Sequence, residues 1–175
     1  KRGYVLIFLG GPDGYSTNRV WKIPVGFPLI GSLNTADLNK DGYMDIAAIN
    51  WGGSAQNGYL VVMMNDGHNN FVVKYIKLIG KGTYDVKIGD MNRDSKLDIV
   101  VSQWTSSYIT VLINSGNGIG YSLSNYTVSG NPRFIDIGDV DGKNGNDVVV
   151  IFYDHIKVLK NDGAGSFGNE TKLST

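Results

Sequence analysis

The chain has 175 residues, enough for one ordinary domain with a sizeable core. Its 16 basic and 16 acidic residues cancel to a formal net charge of zero, which excludes the basic excess that a nucleic-acid groove or an anionic membrane surface requires. The absence of cysteine removes disulfides, thiolate metal sites and a cysteine nucleophile.

In chain order, the first apolar run is YVLIFL at residues 4–9, too short to span a bilayer and without a cleavage-site pattern, so no membrane insertion is expected. It runs into the glycine-rich stretch GGPDGY. An acidic stretch, DLNKDGYMD (37–45), then leads into IAAINW, and YLVVMMNDGHNNF (59–71) follows. Later come VKIG, LDIVVSQW, YITVLIN, DVVVIFY and IKVLKN, which alternate or form brief apolar blocks. No segment keeps a helical apolar spacing for three turns. Together with 24 glycines and ten tyrosines, this pattern predicts short strands joined by tight turns and an all-β fold.

The segments repeat. DLNKDGYMDIAAINW (37–51) aligns with DMNRDSKLDIVVSQW (90–104) and DVDGKNGNDVVVIFY (139–153), at spacings of 53 and 49 residues. Each is followed by a second unit: YLVVMMNDGHNNF, YITVLINSGNGIGY (108–121) and IKVLKNDGAGSF (156–167). A fourth copy of that unit, YVLIFLGGPDGY (4–15), has no acidic loop before it. One repeat therefore reads as strand, acidic loop, strand, connection, strand, turn and strand. The pairs Asp66-Gly67 and Asp162-Gly163 favour the positive backbone angles of a tight hairpin. Four antiparallel strands at a period near 50 residues is the size of one β-propeller blade.

The pairing of D-x-N-x-D-G-x-x-D-I with a following N-D-G-x-G-x-F resembles the FG-GAP/VCBS repeats, which build the propellers of integrin alpha subunits, some fungal lectins and many secreted bacterial proteins. The resemblance runs from Tyr4 to Phe167. It implies a β-propeller of four-stranded antiparallel blades, about three and a half in this chain: a half blade over 1–31 and blades over 32–81, 82–131 and 132–175. The expected setting is a fragment of a larger propeller, its remaining blades supplied by a parent chain, or else a half that a second copy completes.

The acidic loops have the composition of calcium sites. Calcium takes about six to eight hard oxygen ligands, which a tightly curled loop supplies at alternating positions. In the first loop Asp37, Asn39, Asp41 and Asp45 stand at positions 1, 3, 5 and 9, with the Tyr43 carbonyl at 7 and Gly42 at the sharp reversal. The second loop repeats this with Asp90, Asn92, Asp94, Asp98 and the Lys96 carbonyl, but has Ser95 in place of the glycine. The third keeps Asp139, Asp141 and Asp147 and carries Lys143 at position 5, so that either Lys143 swings out and a metal binds, or the lysine stands in for it. An EF-hand needs a glutamate at position 12, where this chain has Ala48, Val101 and Val150. An Asx-rich turn without metal is the plainer alternative for each loop. Two calcium ions are expected, as structural staples.

An aromatic residue falls six positions after the last loop aspartate in every repeat: Trp51, Trp104 and Tyr153. In the family's blade this is the end of the strands opposite the calcium loop, where the resemblance places ligand binding. Stacking on a sugar or a partner competes there with packing between blades; the polar stretch NWGGSAQNGY favours Trp51 as the binding member. His68 and His155 read as turn residues, and no catalytic triad or phosphate cradle can be assembled. The expected function is noncatalytic extracellular recognition or adhesion by a secreted calcium-stabilised module, with a protein or glycan ligand. A lectin proper, and part of a secreted polysaccharide-degrading enzyme with its active site elsewhere, are the alternatives.

Overall fold

The computed structural model of the chain describes residues 4–11, 14–24, 31–52, 56–68, 70–168 and 171–172. It is all-β. A hairpin of β1 (Tyr4–Gly11) and β2 (Gly14–Pro24) precedes three four-stranded antiparallel sheets. The first sheet comprises β3 (Ser32–Ala36), β4 (Asp45–Ile49), β5 (Asn57–Asn65) and β6 (Phe71–Lys81). The second comprises β7 (Thr83–Gly89), β8 (Asp98–Gln103), β9 (Tyr108–Asn114) and β10 (Tyr121–Thr127). In the third, β11 (Ile135–Gly138), β12 (Asp147–Ile151), β13 (Ile156–Leu159) and β14 (Thr171–Lys172) follow the same order. Every neighbour in a sheet is the neighbour in sequence, so each sheet is a simple meander. No helix among the described residues is long and apolar enough to cross a membrane.

Burial along the strands explains why their sequences differ. The second strands DIAAI and DIVVSQ are buried at every residue, as expected of central strands covered on both faces. The fourth strand β10 alternates between half-buried and exposed over most of its length, as an outer strand should. Alternate residues of one strand serve different neighbours. Ala47 and Ile49 pack with Leu60 and Val62 against Ile99 and Val101 of the second sheet. Ile46 and Ala48 turn the other way, with Val61 and Met63, onto Val5 of the first hairpin. Val100, Val111, Val148 and Val150 fill the space between the second and third sheets. The layers thus stack in sequence order, each buried Val, Ile or Leu contributing about 1.5–3 kcal/mol.

The first strands β3 and β11 both lie against β7. Asp85 of β7 joins all three: its carboxylate accepts from Ser32 Oγ at 2.7 Å and from the Ile135 amide at 3.1 Å, and pairs with Lys87 at 3.2 Å. The antiparallel meander puts the acidic loops and the hairpins that close strands three and four at one end. The turns after β8 and β12 and the sheet-to-sheet connections lie at the other.

Candidate functional site

The three acidic loops share one skeleton, built on the aspartate at position 9. Asp45, Asp98 and Asp147 are fully buried, and each uses both oxygens. One accepts the amide of the position-2 residue: Leu38 at 3.0 Å, Met91 at 2.8 Å, Val140 at 3.0 Å. The other accepts the amide of an asparagine at the close of the third strand: Asn65 at 2.8 Å, Asn114 at 2.8 Å, Asn161 at 2.9 Å. The loops reverse through left-handed residues at positions 4 and 6. Those are Lys40 and Gly42 (φ 62° and 90°), Arg93 and Ser95 (62° and 64°), and Gly142 and Asn144 (71° and 59°). Ser95 therefore does adopt the strained conformation that a glycine would take freely.

Burial and like charge act together on these carboxylates. Burial pushes the Asp98 carboxyl up to about 6 against its two backbone hydrogen bonds, and Asp94 and Asp90 push the same way. Burial also raises Asp45, with Asp41 and Asp37 adding to it. In the second loop Asp90 Oδ2 accepts the Ser95 amide at 2.8 Å, while its Oδ1 is buried and has no hydrogen-bond partner among the described residues. A buried carboxylate oxygen without a donor is what a bound cation would satisfy. Asp90, Asn92, Asp94 and Asp98 fit that role, with the Lys96 carbonyl; meanwhile the Lys96 ammonium sits 3.1 Å from Asp94. In the first loop Asn39 Nδ2 donates to Asp41 at 2.8 Å and its Oδ1 accepts the Asp41 amide at 3.1 Å; Asp37, Asn39, Asp41 and Asp45, with the Tyr43 carbonyl, are the residues that would hold an ion there.

The third loop changes the order expected from sequence. The carboxylates of Asp139, Asp141 and Asp147 each bring an oxygen within 4.8 Å of the others, a group able to hold a metal ion. The reason lies at position 3, where Asp141 replaces the asparagine of the other two loops. Lys143 does not fill the site: it is exposed, and its backbone amide, not its ammonium, donates to Asp139 and Asp141. Lys160, from the end of the third strand, places its ammonium 3.1 Å from Asp141.

The asparagine amides carry the loops into the next sheet. Asn114 Nδ2 donates to Leu97 O at 3.0 Å in its own sheet and to Leu38 O of the first sheet's loop at 2.8 Å. Asn161 repeats this with Asn146 O and Met91 O, both at 2.7 Å. Their Oδ1 atoms accept from Gly116 and Gly118, and from Gly163 and Gly165. A Cβ on Gly118 would stand 2.4 Å from Met64 Cε and 3.2 Å from Leu38 Cβ, and one on Gly165 2.9 Å from Ile113 Cδ1. The second glycine of N-x-G-x-G lets the hairpin approach the neighbouring loop closely enough for the amide to reach its carbonyl.

At the opposite end, a cleft of about 340 Å³ opens between the second and third sheets. Trp104, Asn131, Arg133, Tyr153, Asp154 and His155 line it. Tyr153 is 85% exposed, so packing between sheets does not account for it; the Arg133 guanidinium lies 5.2 Å over its ring. His155 stacks on Phe152 at a centroid distance of 4.5 Å and 5° between planes, and its Nδ1 is 2.6 Å from Asp154 Oδ1. His155 Nε2 is buried and has no hydrogen-bond partner among the described residues. Backbone bonds fix Arg133: its amide donates to Ile151 O at 2.9 Å and its carbonyl accepts from Ser102 Oγ.

Of the three aromatic positions marked in the sequence, Trp104 and Tyr153 thus share one cleft. Trp51, 40% exposed, is not among its lining residues, and residues 53–55 beside it lie outside the described residues. His68 is exposed in the β5–β6 turn, with Nδ1 3.1 Å from Asp66 O. His155 occupies a turn, as its sequence context implies, but one that faces the cleft. The asparagine clamp, Lys160 and Arg133 were not foreseen. Only the clamp left a legible signal, the asparagine before each turn, which recurs in register at 65, 114 and 161.

Residues 37–101 match the FG-GAP-like repeat family. No curated protein sequence matches the chain. Among solved structures it is similar to a lectin of Agrocybe aegerita whose structure concerns specific recognition of non-reducing terminal N-acetylglucosamine. The TM-score is 0.54 at 22% identity, over 80% of this chain and 37% of the lectin's. At that identity the likeness bears on the fold alone, and the chain spans little more than a third of the lectin's length.

Proposed function

We propose that this FG-GAP repeat protein is a noncatalytic recognition module that binds a glycan in the cleft between its second and third sheets. The observation that carries the reading is the composition of that cleft. Trp104 and Tyr153 offer aromatic faces on which the C–H face of a sugar ring can stack. Asn131 and Arg133 stand beside them with directional polar groups. The fold likeness to a lectin agrees with this choice of ligand over a protein partner.

The sheets are read as successive blades of a β-propeller, with β3, β7 and β11 lining its axis. Their mutual packing and the Asp85 ties support that reading. A closed ring would draw further blades from a longer chain or a second copy. The acidic loops are read as calcium staples at the end away from the ligand. Bound calcium supplies positive charge against carboxylates that burial and mutual repulsion disfavour; it takes no part in chemistry. A secreted, extracellular setting suits this, because calcium there is abundant enough to occupy sites of modest affinity.

The test is a glycan array probed in calcium with the wild-type chain and with Tyr153→Ala and Trp104→Ala. Binding to a defined set of glycans that both variants lose is the expected result. Binding that survives both substitutions, or no binding to any glycan by a folded wild-type chain, overturns the reading.

A further inference from the structure

We infer that the cleft prefers a sugar bearing a carboxylate, a uronate, over its neutral counterpart, and that Arg133 sets this preference. The inference rests on the glycan reading above and narrows it.

Arg133 is the group that makes the case. Its guanidinium makes no hydrogen bond or ion pair among the described residues; its one contact of that kind is with the Tyr153 ring. A guanidinium stays charged at any working pH and presents a planar fork that matches a carboxylate through two parallel hydrogen bonds. It stands over Tyr153 at the edge of the aromatic platform. An acidic substituent on a ring stacked against Trp104 or Tyr153 could then meet it.

Two further charged groups stand near the cleft. The Asp154 carboxylate is engaged by His155 at 2.6 Å. Lys157 adds a second ammonium beneath the cleft, 5.0 Å over the Phe152 ring and hydrogen-bonded to Ser129 O at 2.9 Å. The fold does not ask for an arginine here. Ile135 and Val86 are register equivalents, paired with Val150 and Val101, which makes Tyr84 the counterpart of Arg133. Tyr84 packs edge-on against Phe134 at 5.2 Å. The first sheet has Gly31 at the same place, its amide donating to Ile49 O at 2.8 Å as that of Arg133 does to Ile151 O, so the position differs in each sheet and the third places a cation there.

The experiment compares matched pairs, glucuronate with glucose and galacturonate with galactose, each at the terminus of the same immobilised oligosaccharide. Binding of the wild type, Arg133→Gln, Arg133→Lys and Tyr153→Ala is measured in calcium, with thermal melting to confirm folding. At least tenfold tighter binding of one acidic member is expected. Arg133→Gln should bring the acidic member down to the level of the neutral one, Arg133→Lys should keep part of the preference, and Tyr153→Ala should weaken both members. Equal wild-type binding to both members, still lost in Tyr153→Ala, overturns the uronate preference and leaves the glycan reading standing. Acidic preference unchanged in Arg133→Gln overturns the role of Arg133. Binding of neither member overturns this inference, and the glycan reading falls with it only if the full array is also blank.

Discussion

The side-chain amide of Asn114 donates to the carbonyl of Leu38 across 2.8 Å, joining residues 76 positions apart. Leu38 is the second residue of the first acidic loop, and its own amide is held by Asp45. One residue therefore has its N–H fixed by the loop and its C=O fixed by the next sheet. Order in the acidic loop and docking of the neighbouring sheet are the same event at this point. Asn161 and Met91 repeat the arrangement one sheet on.

Asn114→Ala should be among the most damaging substitutions outside the apolar core. It strips donors from Leu38 O and Leu97 O and the acceptor from Gly116 and Gly118, at a buried site. Unfolding in urea should show a loss of about 3 kcal/mol. A loss below about 1 kcal/mol would mean water replaces the amide and the clamp is incidental.

The architecture was legible because it repeats: three acidic loops in register with turn units place the strands of all three sheets before any coordinates are known. What the sequence hid is specific to side-chain direction. The third loop looked spoiled by Lys143, yet its carboxylates converge, because position 3 became Asp141 and the lysine backbone alone faces inward. The cleft combines Trp104, Arg133 and Tyr153 from three separated turns, and only the tertiary fold brings these together. The polar flank that favours Trp51 is a local signal of the same kind, and a local signal carries no information about what stands opposite.

Ser95 occupies the left-handed region with φ 64° where the first loop has Gly42. Its side chain is exposed, so removing it leaves no cavity. Ser95→Gly should raise the unfolding free energy by about 0.5–1 kcal/mol, the relief of backbone strain less the added freedom of the unfolded chain. A lower stability would mean that the serine side chain contributes to the loop.

Calcium should raise the melting temperature and chelation should lower it. At a hundred times the dissociation constant, each occupied site adds about 2.7 kcal/mol. Asp90→Asn and Asp139→Asn should each remove the share of their own loop, which differential scanning calorimetry with and without EDTA would resolve. Identical melting in calcium and EDTA would contradict the staple reading.

Without calcium, stability should fall as pH rises from about 4 to about 6. The Asp98 carboxyl is pushed up from 3.8 to about 6 by burial, so the native state binds more protons than the unfolded chain across that window. Asp45 is shifted in the same direction. Asp66 and Asp94 are shifted downward, so their stabilising contribution is lost only below the ordinary carboxylate value. Calcium favours the ionised form and should flatten the slope. Urea midpoints at several pH values in EDTA would show it; stability rising through the window would contradict the assignment.

The account turns on where ligand binds. The most direct measurement is backbone and side-chain NMR shift mapping of the calcium-loaded chain, titrated with a glycan that the array identifies. The account predicts that shifts move at Trp104, Asn131, Arg133, Tyr153 and His155 and stay still in the loops at 37–45, 90–98 and 139–147. Saturable shifts confined to those loops or to the surroundings of Trp51, with the cleft unmoved, would contradict it.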